Sequence, residues 1–441
     1  MAYQRHIIIG LLYKIMESTK IFIKKWIPND GWLFIRSFFP GQAIHNNMVK
    51  NYVTEWQSAR EKHPWIRGST EFSSGVNLVG YLRTVKGIGE AARSSMMALE
   101  AGNIPQAAND FELGIPAHQK TEPLPDLKSK KGFPFNTNLF HINPPQLPYL
   151  HSYFNKGDLI SRYNIGVWYW ELPEFPDEWR FAFGLVDEVW AATQFIYESI
   201  SAKSSVPVVK IPPCIDTIYN KHLNRSDFGL PADCFLFMCA YDVLSIQARK
   251  NPLGAVEAFK RAFPKNDANV GLVIKINNTA ENPQEIIHLR ESLMGYSNCY
   301  MIEDVFDKPT FNSLVKHVDA YISLHRSEGF GLIPAEAMSL GKPVIMTRWS
   351  GNLDLMTVDN SCGVDYKLIP IREQAGPYRP GQIWAEPDLD HAAFFMQRLI
   401  NDNNYYKQIS AQAKKTIQED FSPYTVGQLI KERMRGIGLI L

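Results

Sequence analysis

Two doubly wound α/β units in tandem, facing a shared cleft, are the fold class this sequence predicts, and three observations predict it. Short apolar, β-prone runs alternate with segments of helical period between residues 75 and 211. A polar, irregular stretch over 214–232, containing Pro231, interrupts the alternation. The same pattern then restarts at Phe235. Strands alternating with helices imply parallel sheets covered on both faces. At 441 residues the chain is also too long for one ordinary core.

Composition narrows the function classes. Hydrophobic residues at 45% and charged residues at 21% describe a well-cored globular protein rather than a disordered one. A net charge of +1 supplies no field for nucleic acid, and none is expected as a partner. The five cysteines are odd in number and include no CxxC, so neither a disulfide framework nor a zinc site is expected. No run approaches the roughly 18 to 20 apolar residues that span a bilayer. The apolar run over 7–13 is too short and lacks the small-residue cleavage site of a signal peptide. A cytoplasmic protein is expected.

The elements follow in order. Residues 1–70 form a basic extension, expected to be helical. Apolar residues over 11–27 alternate with Lys14, Lys20, Lys24 and Lys25, and residues 1–66 carry nine Lys/Arg against four Asp/Glu. Such a helix either lies on an anionic membrane surface or packs on the body with a solvated lysine face. Residues 75–81 (GVNLVGY) are the first strand, leading through Gly87-Ile88-Gly89 into a helix that ends near Gly102. Gly87, Gly89 and Ala92 satisfy the dinucleotide fingerprint G-x-G-x-x-A, with Asp110 about where a ribose-binding acid belongs. A turn packed closely against another backbone requires the same glycines, so an NAD(P)-dependent oxidoreductase and a plain packing turn both stand as readings.

Strands are expected over 138–142, 164–170, 186–192 and 206–211, with helices over 174–183 and 195–201. This makes 71–213 the first domain and 214–232 the linker. Strands over 235–241, 270–276 and 300–302 alternate with helices over 252–263, 284–294 and 310–317. A strand over 319–325, a Gly-containing turn, a helix over 333–340 and a strand over 344–347 continue the second domain, 233–422. Gly341 and Pro343 stop the last of these helices. Residues 423–441 are expected to form a terminal helix crossing back to the first domain.

Ligands of such sheets bind beyond the carboxyl ends of the strands, so the cleft is the expected site. Three clusters fall there. Arg249-Lys250-Asn251-Pro252, with Ser245 upstream, sits between a strand and a helix whose first position suits Pro252. Two adjacent cations there suit a diphosphate, or else are surface bases. Glu328 and Glu336 flank the turn containing Phe330, Gly331 and Leu332. A glycine turn feeding a helix presents free amides to an anion, and carboxylates accept from vicinal hydroxyls. Acidic residues near a helix's positive end are also favoured by the dipole alone. Third, Trp168-Tyr169-Trp170-Glu171 closes a strand with rings beside a carboxylate, a surface suited to sugars or simply a buried sheet. Asp388-Leu389-Asp390 reads as a helix cap, and no metal is expected.

Together these residues resemble the retaining glycosyltransferases of family 4, which have the GT-B fold. The resemblance rests on SLHRSEGFGLIPAEAMSLGKPVI, whose Glu328 and Glu336 reproduce the family's E-x7-E. It extends to ARKNPLGAVEAFKRAF, GIGEAARSSMMALEAGNIP and WYWELPEFPDEW, while Gly351-Asn352 and WAEPDLD resemble a bacterial, polysaccharide-building branch. The likeness covers about residues 75–424 and leaves out the first 70.

The resemblance implies transfer of a hexose-type sugar, with retention, from a UDP- or GDP-sugar to a hydroxyl of a glycan or lipid-linked acceptor. The sugar nucleotide is a substrate, and no cofactor is implied. Arg249 and Lys250 would hold the diphosphate, although Ser245 stands where many members have the arginine. Glu336 would bind the ribose and Glu328 the sugar. Backbone amides at Phe330, Gly331 and Leu332 would meet phosphate or sugar, with Gly87 and Gly89 opposite. Where many members have a histidine this chain has Tyr169 and Glu171, so Glu171 is the catalytic candidate from the first domain. A non-catalytic sugar-nucleotide-binding relative is the third reading.

Overall fold

A computed structural model describes residues 41–84, 86–111 and 132–440. The chain falls into two compact units, Met1–Glu55 and Trp56–Leu441, and the second holds both sheets. Helix α1 (Gly41–Lys62) begins in the first unit. The lysine-bearing run over 11–27 lies outside the described residues. Among those described, no helix is long and apolar enough to cross a membrane.

The first sheet contains β1 (Ser73–Gly80), β2 (Gln106–Asp110), β3 (Phe135–His141), β4 (Tyr163–Trp168), β5 (Glu188–Ala191) and β6 (Val208–Lys210). All its pairings are parallel, in the order β2-β1-β3-β4-β5-β6. Its central strands are buried along nearly their whole length, as continuous apolar runs require when helices cover both faces. Edge strand β2, QAAND, offers no apolar run and is invisible to periodicity; pairing with β1 makes it a strand.

Helix α2 (Gly87–Ala101) follows β1, and α3 (Gln194–Ser201) follows β5, capped by Thr193. The helix expected over 174–183 is instead a set of 3₁₀ turns over Asp177–Leu185. Pro173 and Pro176 withhold two amides there. The rings of Phe175, Trp179 and Phe183 pack on Trp168 and Trp170, so ring packing shapes the segment in place of a helical face.

The second sheet contains β7 (Phe235–Asp242), β8 (Val270–Asn277), β9 (Cys299–Ile302), β10 (Ala320–Ser323), β11 (Val344–Thr347) and β12 (Cys362–Val364). It too is parallel, ordered β12-β11-β10-β7-β8-β9. Helices α4 (Pro252–Ala262), α5 (Pro283–Ser292), α6 (Lys308–His317) and α7 (Leu332–Ser339) make the crossovers. Phe237, Phe259 and Leu272 anchor the core between them. An antiparallel hairpin, β13 (Tyr366–Pro370) and β14 (Ile383–Pro387), was not expected from the sequence. Helices α8 (Leu389–Asn401), α9 (Asn403–Asp420) and α10 (Pro423–Gly436) end the chain.

Helix α10 packs on α2, burying Val426, Ile430 and Met434 with the first domain's core. Gly427 and Gly102 allow this closeness, since a Cβ on Gly102 would lie 2.8 Å from the Gly427 carbonyl oxygen. The Arg433 guanidinium pairs with fully buried Glu188 of β5, which also accepts from Trp190 Nε1 at 2.6 Å. The terminal helix is thereby fixed to the first domain by both apolar burial and a charge pair.

Strand order reverses between β1 and β3 in the first sheet and between β7 and β10 in the second. Connections leave such a point in opposite directions and open a crevice at the carboxyl ends of the strands. The two crevices line one cavity.

Candidate active site

That cavity measures about 380 Å³, and both domains line it. Gly87, Asn143, Tyr169 and Glu171 come from the first domain. Ser245, Arg249, Lys250, Glu328, Phe330, Gly331 and Leu332 come from the second.

Local chemistry sets the cation pair at the mouth of β7. A short helical turn, Gln247–Lys250, ends at Asn251, whose φ of 52° is the left-handed conformation asparagine tolerates. Asn251 then caps α4 by accepting from the Gly254 amide at 3.2 Å, and its Nδ2 donates to the Leu324 carbonyl at 2.8 Å. The Arg326 amide donates to the Arg249 carbonyl at 2.7 Å. The loops after β7 and β10 are thus tied at the switch point, bringing residues 78 positions apart into contact.

There Glu328 is paired with Lys250 Nζ and lies 3.3 Å from Arg249 Nη1. Arg249 Nη1 also donates to the Ser327 carbonyl at 2.8 Å. Burial opposes the Glu328 charge, but Lys250 and Arg249 outweigh it and hold the carboxyl at about 2. Glu171, on the same cavity wall, is a second carboxylate acting on these two cations. The turn itself is braced from behind. Ser350 Oγ accepts from the Glu328 amide at 2.8 Å, and Asn352 Oδ1 bonds His325 Nε2 at 2.9 Å. Gly351 has no room for a Cβ, which would overlap the Gly329 carbonyl.

Gly331 has a φ of 94° and begins α7, so its glycine is a conformational requirement. Gly87 stands across the cleft, where a Cβ would lie 3.8 Å from Leu332 Cδ1. Ser245 lies on the wall with its amide bonded to the Asp242 carbonyl at 2.8 Å.

Two sequence-predicted residues lie off the wall. Glu336 sits behind Lys308, whose Nζ meets Glu336 Oε1 at 2.5 Å, and Lys308 itself lines the cavity. Burial raises the Glu336 carboxyl, and its Oε2 is buried without a hydrogen-bond partner. Gly89 is buried inside the first turn of α2, where a Cβ would overlap the carbonyls of Thr84 and Tyr81. Close backbone approach therefore accounts for this glycine. Asp110 of the same fingerprint accepts from the Leu82 amide at 2.9 Å and pairs with Arg83 at 3.5 Å. Gly89→Ala is expected to destabilise the fold by about 1–3 kcal/mol, read by urea unfolding. A loss below a few tenths would contradict the packing account.

Glu171 crosses the cleft. Its carbonyl accepts from Ser327 Oγ, and its Oε2 accepts from Tyr378 Oη at 3.0 Å. Tyr378, Lys308 and Asn143 were missed by the sequence reading, since none stands in a spaced motif. His141, at the end of β3, is buried off the wall, and burial lowers it to about 3. Asp388 caps α8 by accepting from the Asp390 and His391 amides at 3.0 Å, and Asp390 pairs with Arg261 at 3.0 Å.

Residues 241–416, which include Arg249, Lys250, Glu328 and Glu336, match the family described as glycosyl transferases group 1. No curated protein matches the chain. Among solved structures, Anabaena HepE in complex with UDP and glucose is similar at 14% identity and a TM-score of 0.59, covering 82% of this chain and 100% of that one. Sucrose-phosphate synthase of Thermosynechococcus elongatus gives 15% and 0.57, covering 83% and 99%. A glycosyltransferase of Rickettsia africae gives 12% and 0.56, with the same coverage. With its two facing parallel sheets the chain has the GT-B fold, and its second domain is similar to the group 1 glycosyl transferases.

Proposed function

We propose that this chain is a retaining glycosyltransferase of the family 4 type. It would move a hexose-type sugar from a UDP- or GDP-sugar to a hydroxyl of a glycan or lipid-linked acceptor, without a metal ion. The observation that carries the reading is the Arg249–Lys250–Glu328 cluster, set at the switch point of the second sheet and lining the cavity with residues of the first domain. The match over 241–416 and the UDP and glucose in the HepE complex support the donor class.

Breaking the bond between sugar and phosphate develops negative charge on the leaving diphosphate. Arg249 and Lys250 are placed to take that charge, with the amides at the start of α7 beside them. Glu328, held ionised by the same cations, faces the positive charge that develops on the sugar. The bare Oε2 of Glu336 suits a ribose hydroxyl once Lys308 yields its place. Gly87 and the loop after β3 close the donor from the opposite side and exclude water. The leaving phosphate takes the acceptor proton, so this account needs no separate base.

The test is ligand choice. UDP or GDP is expected to raise the melting temperature while NAD does not, and a hydrolysis screen over UDP-glucose, UDP-N-acetylglucosamine and GDP-mannose identifies the donor. Glu336→Ala is expected to weaken binding of the preferred nucleotide roughly 10- to 100-fold by calorimetry. Stabilisation by NAD alone would overturn the reading.

A further inference from the structure

The hairpin β13–β14 is built into the cation loop at its base. The Ala385 amide donates to the Arg326 carbonyl at 2.9 Å. The Arg326 guanidinium forks onto Glu386 at 2.5 and 3.0 Å, donates to the Ala248 carbonyl at 2.5 Å, and lies 5.7 Å from the Trp384 ring centre. Ala248 directly precedes Arg249, so the hairpin and the diphosphate-facing cations form one body.

Its tip, residues 371–382, crosses to the other domain. Reciprocal backbone bonds between Ala375 and Tyr378, at 3.0 and 3.1 Å, close a turn in which Gly376 has a φ of 59°. That turn aims Tyr378, only 3% exposed, at the first domain. Its ring packs 5.6 Å from Trp170 and 6.4 Å from Trp384, and its hydroxyl donates to Glu171 Oε2 at 3.0 Å. Arg379 also reaches across, to Glu178, but that pair is exposed and worth little. Tyr378 differs, because its hydroxyl is itself buried and its bond to the Glu171 carboxylate is shielded from water on the tyrosine side.

A phenol that served packing alone would need only some backbone carbonyl. This one ends on a carboxylate of a cavity-lining residue, beside Gly329. We propose that Tyr378 is a positioning residue for the transfer reaction: reaching from the donor domain, it aims the Glu171 carboxylate at the sugar end of the cavity. Glu171 is then correctly placed only while the two domains are closed on each other, which couples closure to assembly of the site. Burial, with Glu171 beside it, keeps the Tyr378 phenol protonated and therefore the donor. The inference rests on the transferase reading.

Tyr378→Phe in the full chain tests it, since the ring packing is kept and only the hydroxyl is lost. With the sugar nucleotide that the wild type turns over fastest in the screen above, kcat is expected to fall roughly 10- to 100-fold. KM, and the calorimetric Kd for UDP or GDP, should stay within about twofold because the hydroxyl does not touch the nucleotide end. In a Glu171→Gln background the same substitution is expected to cost nothing further. A kcat within twofold of wild type, or an equal loss in the Glu171→Gln background, would overturn the positioning role and leave the transferase reading standing. A wild-type chain that binds neither UDP nor GDP would remove the transferase reading, and this role with it.

Discussion

Lys250→Ala is expected to lower sugar-nucleotide turnover roughly 10²- to 10³-fold while the chain stays folded. The side chain is a quarter exposed, and its loss leaves Glu328 still paired with Arg249 at 3.3 Å. The native state therefore keeps a compensated carboxylate. The leaving diphosphate loses one of its two side-chain cations, and in a dry cavity that charge has no substitute in water. Steady-state turnover on the preferred donor, with circular dichroism and melting as folding controls, measures it. Turnover within a few-fold of wild type would show that the diphosphate does not lie against this loop. The corresponding Arg249→Ala variant is a poorer probe, because Arg249 is buried and also holds the Ser327 carbonyl.

Glu328→Gln is expected to abolish most turnover and to destabilise the chain by about 3 kcal/mol, since it leaves the buried Arg249 guanidinium, and the partly exposed Lys250 beside it, without their anion. The effect has a pH signature. The folded-state carboxyl at about 2 lies below its ordinary 4.5, so ionised Glu328 stabilises the native state. That stabilisation is complete above the ordinary value and is lost as pH falls from there toward about 2. Urea unfolding of wild type and variant between pH 7 and pH 3 should show a full gap at neutral pH that narrows below about 4.5. A gap independent of pH would mean that the variant acts by disturbing packing rather than by removing the charge.

Much of this molecule was legible in the sequence because the signals are local. The parallel strands are apolar runs of strand length, and Pro252 and Pro343 mark where a helix starts or cannot continue. The charges at 249, 250 and 328 were legible as chemistry because each follows a strand, where α/β sheets bind ligands. The hairpin β13–β14 and edge strand β2 were not legible. Their residues carry no sustained apolar alternation, and pairing partners decide their structure. Gly89 also carried an ambiguous signal: a nucleotide turn and a crowded turn demand the same absence of a Cβ.

The sequence by itself determined two parallel α/β domains and a glycine turn leading into α7, because these depend on the order of apolar, turn and capping residues along the chain. Only the tertiary structure decided which charges meet. Lys250 and Glu328 are 78 residues apart, and Tyr378 and Glu171 are 207 apart. It also decided that Glu336 stands behind Lys308 rather than on the cavity wall. Contacts of that kind depend on how finished elements pack against one another, and residue spacing along the chain does not encode that geometry.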